Sequence, residues 1–169
     1  VKPKLASPDE IEGDLAVSWT ASDDKKTFTF KLDPKAKWAD GKPVTAEDAA
    51  FSLQRVVKLD KSPAYIINQF GYTKDNVESL ITAPDAQTLV IKTAEPASES
   101  FLLYCLTANV GSIVQKSACL ANQTGDDLGN AWLKKNSAGS GAFKLRDWKV
   151  SESVILESNK NNPHAGKIQ

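Results

Sequence analysis

The residue types that support catalysis or metal binding are present in this chain, but their spacing does not bring them together. Adjacent carboxylates, which can serve acid–base catalysis or hold cations, occur at Asp9-Glu10, Asp23-Asp24, Glu47-Asp48 and Asp126-Asp127. Each pair lies in a predicted turn or at a predicted helix start, where carboxylates have structural roles. The single histidine, His164, lies in a polar stretch. We therefore expect no catalytic residue, no metal site and no cofactor.

Gly139-Ser140-Gly141 is the stretch that comes nearest to a catalytic or phosphate-binding motif. A nucleophile elbow requires the pattern G-x-S-x-G, and a phosphate cradle requires a helix directly after the glycines. The residues that follow, Ala142-Phe143-Lys144-Leu145, alternate as a strand does. This pattern predicts a turn that enters a strand, and the chain is not expected to be an enzyme.

Two cysteines, Cys105 and Cys119, are separated by 14 positions. They could be buried thiols that pack as small apolar groups, or they could form a disulfide in an oxidising compartment. Spacing alone does not decide between these interpretations, because geometry controls whether two sulfurs can bond. The sequence contains no Cys-x-x-Cys motif, which argues against zinc binding and thiol redox chemistry.

One segment without a strong period places aromatic and amide side chains close together in sequence. Tyr65 and Tyr72 flank Asn68, Gln69 and Phe70. Ligand clefts are lined by apolar and aromatic side chains, with a few polar groups that fix the orientation of the ligand. The segment could line such a cleft or pack as ordinary surface, and Tyr65 and Asn68 are the candidate ligand-binding residues.

Charge and composition exclude nucleic acid as an expected partner. The sequence has 21 basic and 21 acidic residues, and only Arg55 and Arg146 are arginines. Nucleic-acid readers need a basic surface and favour arginine. The length of 169 residues suits one compact domain, or one domain with a short extension. No apolar run approaches the roughly 20 residues of a membrane-spanning helix. Because the sequence opens with Val1 and lacks methionine, we expect a processed or excised segment.

Apolar and polar residues alternate in a way that predicts three antiparallel strand pairs. The predicted pairs are 15–20 with 27–32, 77–83 with 88–93, and 142–149 with 154–158. In the first strand, Leu15, Val17 and Trp19 are expected to share the apolar face. Antiparallel hairpins that form a twisted sheet, with helices packed against it, define an α+β fold.

Helices are predicted between these strand pairs. The first is expected over 46–58, with Thr45 as its cap and carboxylates in its first turn. A second is expected to begin near Ser98, with an apolar stripe at Phe101, Leu102, Cys105 and Leu106. Two short helical turns are expected over 116–121 and 130–135.

Two blocks of the sequence carry a specific resemblance over about residues 13–163. The first comprises Leu15-Ala16-Val17-Ser18-Trp19, Ser22-Asp23-Asp24, Lys26-Thr27-Phe28-Thr29-Phe30-Lys31-Leu32, Lys37-Trp38-Ala39-Asp40-Gly41-Lys42-Pro43-Val44-Thr45-Ala46-Glu47-Asp48 and Phe51-Ser52-Leu53-Gln54-Arg55. The second comprises Gly139-Ser140-Gly141-Ala142-Phe143-Lys144-Leu145, Trp148, Glu152-Ser153-Val154-Ile155-Leu156-Glu157 and Asn162-Pro163. Together they resemble the signature of family 5 extracellular solute-binding proteins, the peptide, dipeptide and nickel receptors of ABC importers. Two positions depart from this signature. This chain has Lys25 where the family usually has glycine, and Ala142 where the family usually has proline.

The resemblance implies a binding protein of the periplasmic or extracytoplasmic space. In this interpretation, residues 1–169 form a single lobe, the extra lobe of a three-lobed cluster C-type receptor, inserted within the first ligand-binding lobe. The implied partners are a small-molecule or peptide ligand shared with missing lobes, and an ABC permease at the membrane. In that compartment a disulfide between Cys105 and Cys119 is expected. The alternative is a structural or protein-interaction domain that reuses the fold and has no ligand of its own.

Overall fold

The chain forms two compact units in the computed structural model, which describes residues 1–7 and 9–165. The first unit comprises Val1–Asp33 and Thr45–Ile113, and the second comprises Pro34–Val44 and the described residues from Val114 onwards. Each unit combines antiparallel strands with helices, which confirms the predicted α+β class.

A four-stranded antiparallel sheet forms the centre of the first unit. The strands of this unit are β1 (Lys2–Pro3), β2 (Ile11–Glu12), β3 (Ala16–Ala21), β4 (Thr27–Leu32), β5 (Ile81–Asp85) and β6 (Thr88–Lys92). The first two pair with each other, and the other four form a sheet in the order β3-β4-β6-β5. Phe28 and Phe30 of β4 and Ile91 of β6 are buried, whereas Lys31 and Lys92 are exposed. The alternation predicted for β4 is therefore confirmed, and that predicted for β6 holds except at Thr88, which is buried beside Leu89.

Strand β3 departs from the predicted alternation at a β-bulge. Its pairing register with β4 shifts between Ala16 and Ser18, which makes Val17 the extra residue. A bulge inverts the order of inward and outward side chains beyond it. Ala16 is buried and Val17 is exposed, while Trp19 again lies beside a core ring of β4. The prediction that Leu15, Val17 and Trp19 share a buried face is therefore wrong.

Helix α1 (Ala46–Leu59) packs against β5 and β6. Thr45 caps it: its Oγ1 accepts a hydrogen bond from the backbone N–H of Asp48 at 3.3 Å, and Asp48 Oδ2 accepts one from the Thr45 N–H at 3.1 Å. This reciprocal pair satisfies two N–H groups that the first helical turn leaves without intrahelical partners. Leu53 and Val57 on the inner face of the helix are buried. The predicted helix and its cap are both confirmed.

Shorter helices follow α1 in the first unit. They are α2 (Tyr65–Asn68), α3 (Val77–Leu80), α4 (Glu99–Thr107) and a 3₁₀ turn over Asn109–Gly111. The start predicted for α4 is confirmed, because Ser98 precedes its first residue.

The helix α3 occupies residues that the sequence predicts as the beginning of a strand. Asn76 accounts for the difference: its Oδ1 accepts a hydrogen bond from the Thr73 N–H at 2.8 Å, and its carbonyl oxygen accepts one from the Leu80 N–H at 3.1 Å. These local bonds compete with an extended backbone. The strand therefore begins at Ile81 rather than at Val77.

The second unit contains two short helices and one hairpin. They are α5 (Lys116–Ala121), α6 (Asn130–Leu133), β7 (Phe143–Lys149) and β8 (Ser153–Ser158). All four were predicted, and α6 ends two residues before the predicted end. In the part of the chain that the structure describes, no helix has the length and apolar character needed to cross a membrane.

Candidate functional site

Helices α1 and α2 meet at a corner that positions the two candidate ligand-binding residues. After α1 the backbone reverses at Asp60, which has left-handed angles (φ 48°, ψ 42°) and donates its N–H to the carbonyl of Val56. The Asn68 N–H then donates to the carbonyl of Ala64 at 2.9 Å, so the predicted loop contains a helical turn. Tyr65 and Asn68 are three residues apart on this turn and lie on the same side of it.

The side chain of Asn68 is fixed by one end and has an unused acceptor at the other. Its Nδ2 donates to Asp60 Oδ1 at 2.8 Å, and this bond to a carboxylate sets the orientation of the amide. Its Oδ1 is buried and accepts no hydrogen bond from the described residues. A buried acceptor without a donor costs about 1–3 kcal/mol. The amide of Asn68 is therefore held next to Tyr65 by Asp60, with its acceptor enclosed by the protein.

Tyr65 is the exposed member of the pair. Its side chain is 69% exposed, so both the apolar ring and the hydroxyl are accessible to a ligand.

Four residues later, Gln69 donates from Nε2 to the carbonyl of Ile66 at 2.8 Å and to Cys105 Sγ at 3.6 Å. The second of these contacts connects α2 with α4.

Helix α4 adds two exposed aromatic side chains beside α2. The ring of Phe101 is tilted against that of Phe70 at a centroid distance of 5.7 Å, and Tyr104 is also exposed. We refer to Tyr65, Asn68, Phe101 and Tyr104 as the α2–α4 surface. Within the predicted apolar stripe of α4, Leu102 and Cys105 are buried and Phe101 is exposed. Nothing in the sequence distinguishes the outward part of the stripe from the inward part.

Tyr72, the second aromatic residue of the predicted cleft segment, belongs to the core instead. Its side chain is buried within the hydrophobic cluster of the first unit. Its hydroxyl makes no hydrogen bond with the described residues, and burial raises the pKa of Tyr72 well above its ordinary value. The hydroxyl is therefore neutral at physiological pH, and the residue contributes to packing rather than to an accessible surface.

The structure corrects the expected disulfide. Cys105 and Cys119 are both buried thiols rather than a bonded pair. Cys105 lies in the core of the first unit, and Cys119 lies in helix α5 of the second. Each packs as a small apolar side chain in its own unit. Burial also raises the pKa of the Cys105 thiol, which disfavours the nucleophilic thiolate.

The acidic pairs have structural partners. Asp48 is part of the α1 capping box. Asp24 Oδ1 accepts hydrogen bonds from Ser22 Oγ at 2.5 Å and from the Lys26 N–H at 3.0 Å, which lowers the pKa of Asp24. Within residues 1–7 and 9–165, no three histidine, cysteine or acidic side chains group as metal ligands would. His164 is exposed.

Gly139-Ser140-Gly141 is an irregular connection into β7, as predicted, and asparagine side chains hold it in place. Asn159 Nδ2 donates to the carbonyl of Gly141, and Asn162 Nδ2 donates to the carbonyl of Ser140, each at 2.8 Å. Buried amides stabilise irregular backbone by satisfying its carbonyl groups. The stretch therefore serves the architecture of the second unit.

Comparison with known proteins identifies the family of the chain. Residues 10–168 match the model of the bacterial extracellular solute-binding proteins, family 5 Middle. The chain is 39% identical over 154 residues to the probable D,D-dipeptide-binding periplasmic protein DdpA of Escherichia coli K12, and this match covers 91% of the chain and 28% of the relative.

Solved structures give the same result. The MppA periplasmic murein tripeptide-binding protein, in its unliganded open form, matches with a TM-score of 0.75 and 29% identity over 94% of this chain and 31% of that protein. MoaA of A. tumefaciens R10, in complex with mannopinic acid, matches with a TM-score of 0.73 and 30% identity over 96% of this chain and 30% of that protein. The chain thus spans less than a third of the length of these relatives. With nearly its whole length matched, the chain belongs to family 5 of the bacterial extracellular solute-binding proteins.

Proposed function

We propose that this chain is one lobe of a receptor that captures a small peptide and delivers it to an ABC importer. The match to family 5 over residues 10–168 is the observation that carries the proposal. Relatives named for a D,D-dipeptide and a murein tripeptide support peptides as the ligand class. Membership of the family places the chain in the periplasmic or extracytoplasmic space.

The lobe works together with other parts of a longer polypeptide. Its relatives are more than three times as long as the matched region, which supports a receptor in which several lobes share the ligand. We assign residues 1–169 to the extra lobe, inserted within the first ligand-binding lobe. Receptors of this kind close two lobes over a ligand, and the closed form is recognised at the membrane.

The α2–α4 surface is our candidate for the ligand-facing wall of this lobe. Asn68, whose amide is oriented by its hydrogen bond to Asp60, lies on the same helical turn as Tyr65. The exposed rings of Tyr65 and Phe101 offer apolar area for a peptide side chain. The role we propose is binding without catalysis, and the names of the relatives as binding proteins support it.

Calorimetric titration of the full-length protein tests the function. The probes are D-alanyl-D-alanine and its L,L counterpart, and we expect one of them, or a tripeptide containing it, to bind with 1:1 stoichiometry. If no peptide binds while the protein is folded, the proposed function is wrong and a domain without a ligand of its own becomes the better account.

Two variants test the surface separately from the function. Tyr65→Ala and Asn68→Ala in the full-length protein are each expected to weaken peptide binding about 10-fold, the size of effect that a moderate contact residue gives. The matched control is Val150→Ala, which truncates an apolar residue that is also exposed and lies outside the α2–α4 surface. Tight binding that neither variant changes would leave the function standing and remove the surface from the site.

A further inference from the structure

Asp60 places a negative charge at the end of helix α1 where a negative charge is unfavourable. It follows the last residue of the helix, and its backbone N–H donates to the carbonyl of Val56. The carbonyl end of a helix carries partial negative charge, so basic side chains suit the last turn and acidic side chains do not. Lys58 meets this expectation, and Asp60 does not. Asparagine tolerates a left-handed backbone at this position without carrying a charge, so the fold alone does not account for a carboxylate here.

The carboxylate of Asp60 is exposed and has no cationic partner within residues 1–7 and 9–165. Among these residues, its side chain makes one hydrogen bond, in which Oδ1 accepts from Asn68 Nδ2 at 2.8 Å. The amide is an uncharged donor, so the negative charge is not neutralised by it. Lys58, the basic residue of the last turn, pairs with Glu78 instead. The second oxygen of Asp60, Oδ2, is therefore available to a cationic group of a ligand.

The first unit as a whole is acidic, although the chain is electrically balanced. Residues 1–33 and 45–113 contain fifteen acidic and ten basic residues, whereas the full sequence has 21 of each. An excess of one sign of charge raises the local concentration of ligands that carry the opposite sign. A ligand that approaches Asp60 therefore gains from positive charge.

Exposed aromatic rings belong to the same surface as this carboxylate. Asn68, which is bonded to Asp60, lies on one helical turn with Tyr65 and on the same side of it. The rings of Tyr65 and Phe101 are exposed. Aromatic faces attract ammonium and guanidinium groups, and the aliphatic stems of lysine and arginine pack on apolar surface while their charged ends bind carboxylates. A carboxylate near such rings is suited to a basic side chain.

We propose that Asp60 makes the α2–α4 surface selective for peptides that carry a basic side chain. The proposal rests on the proposed function and names the class of peptide that this surface favours. In the complex, the ammonium of a lysine or the guanidinium of an arginine donates to Asp60 Oδ2, and the stem of that side chain packs on the ring of Tyr65. The hydrogen bond from Asn68 holds the carboxylate by its other oxygen.

Calorimetric titration of the full-length protein with two matched peptides tests the proposal without any substitution. The probes are alanyl-lysyl-alanine and the same peptide acetylated at the lysine Nζ, which removes the charge and keeps the stem. We expect the charged peptide to bind about 5- to 10-fold more tightly, the effect of one exposed ion pair together with one cation–π contact. The ratio should shrink as the salt concentration rises, because salt screens exposed charges.

The outcomes of this titration separate the proposal from the proposed function. Equal affinities for the two peptides would overturn the proposal and leave the function standing. Binding of D-alanyl-D-alanine or its L,L counterpart, with no binding of either lysine peptide, would do the same. If none of these peptides binds to the folded protein, both the function and the proposal are wrong.

A pair of identical substitutions assigns the preference to Asp60. Asp60→Asn removes the charge, tolerates the left-handed backbone and keeps an acceptor for Asn68, and we expect it to bring the ratio of the two affinities to about 1. Asp23→Asn is the matched control, because it removes an exposed carboxylate of the same unit from the turn between β3 and β4, and it should leave the ratio unchanged. Melting followed by circular dichroism checks that both variants are folded. A preference that persists in Asp60→Asn, or that both variants lose equally, would overturn the role of Asp60.

Discussion

At the scale of single residues, Lys25 holds a backbone conformation that costs stability. It lies in the turn between β3 and β4 and has φ +54°, in the left-handed region that glycine adopts without steric cost. Its backbone is held there by hydrogen bonds: its N–H donates to the Ser22 carbonyl, and its carbonyl accepts from the Ala97 N–H, each at 2.9 Å. The turn therefore requires the conformation, whichever residue occupies the position.

We predict that Lys25→Gly raises the free energy of unfolding by about 0.5–1 kcal/mol, because removing the Cβ removes the steric cost of this conformation. The backbone hydrogen bonds of the turn remain available to glycine. Urea denaturation of the variant and the parent measures the change. Lys25→Ala is the control, since it removes the long side chain but keeps the Cβ, and it should give no gain. An equal gain from both variants would show that the side chain, rather than the backbone, is responsible.

At the same scale, the carboxylate of Asp127 makes the stability of the fold depend on pH. Its carboxylate accepts hydrogen bonds from the backbone N–H groups of Ala131 at 2.8 Å, Thr124 at 2.9 Å and Gly129 at 2.9 Å. These bonds, that from Ala131 most of all, hold the pKa of Asp127 below its ordinary value. Because the pKa is lower in the folded state, the carboxylate stabilises the fold at a pH above its unfolded pKa, and this contribution is lost as the pH falls.

We therefore predict that Asp127→Asn is less stable than the parent at pH 7, and that the difference shrinks as the pH falls below about 4, where the unfolded carboxyl becomes protonated. Urea midpoints at pH 7 and pH 3 measure both quantities. Asp126→Asn, which removes the adjacent carboxylate, controls for net charge. A difference that stays constant with pH would show that the charge of Asp127 plays no part.

At the scale of elements, the capping box decides how helix α1 begins. Thr45 Oγ1 accepts the Asp48 N–H and also donates to Asp48 Oδ2 at 2.8 Å. We predict that Thr45→Ala lowers the free energy of unfolding by about 1 kcal/mol, because it removes both contacts of the hydroxyl. Thr45→Ser keeps the hydroxyl and should cost less than about 0.5 kcal/mol. Chemical denaturation of the two variants compares them directly, and equal midpoints for Thr45→Ala and the parent would contradict the prediction.

The elements that the sequence predicts well are those set by local chemistry. The start of α1 follows from a threonine three residues before an aspartate, and the strand β4 follows from strict alternation. The failures arise where the deciding interaction is not visible in the pattern. The bulge at Val17 depends on how β3 aligns with β4, and the helix α3 depends on the side-chain bond of Asn76 to Thr73.

The sequence predicts which segment of the chain contains the candidate site, but it does not predict which side chains of that segment are accessible. Aromatic and amide residues near Tyr65 and Asn68 indicated where a ligand surface could form, and the structure places both on one helical turn. The exposure of Phe101 could not be predicted, because an apolar residue on an amphipathic helix has the same pattern whether it is covered or not. The burial of Tyr72 could not be predicted either, because a tyrosine carries a polar hydroxyl and nothing in the neighbouring sequence indicates that the side chain is buried.

At the scale of the whole molecule, the first unit has what it needs to fold without other lobes. Its sheet and helices enclose one continuous hydrophobic cluster that includes side chains from β4, α1, β6 and α4. Burial of each large side chain in such a cluster contributes about 1.5–3 kcal/mol. In the receptor that we propose, peptide affinity has a different origin, since a cleft receptor buries most of the surface of its ligand between lobes.

We predict that the isolated 169-residue chain folds but binds peptide at least about 100-fold more weakly than the full-length protein. One wall provides a fraction of the ligand contacts, while the loss of translational and rotational freedom on binding is almost the same. Cooperative unfolding followed by circular dichroism checks that the chain is folded, and calorimetric titration of both proteins with one peptide compares their affinities. Tyr65→Ala is informative in this setting as well, since it should lower any residual affinity of the isolated chain. Comparable affinities in the two proteins would mean that the complete site lies within these residues and that the other lobes contribute little to it.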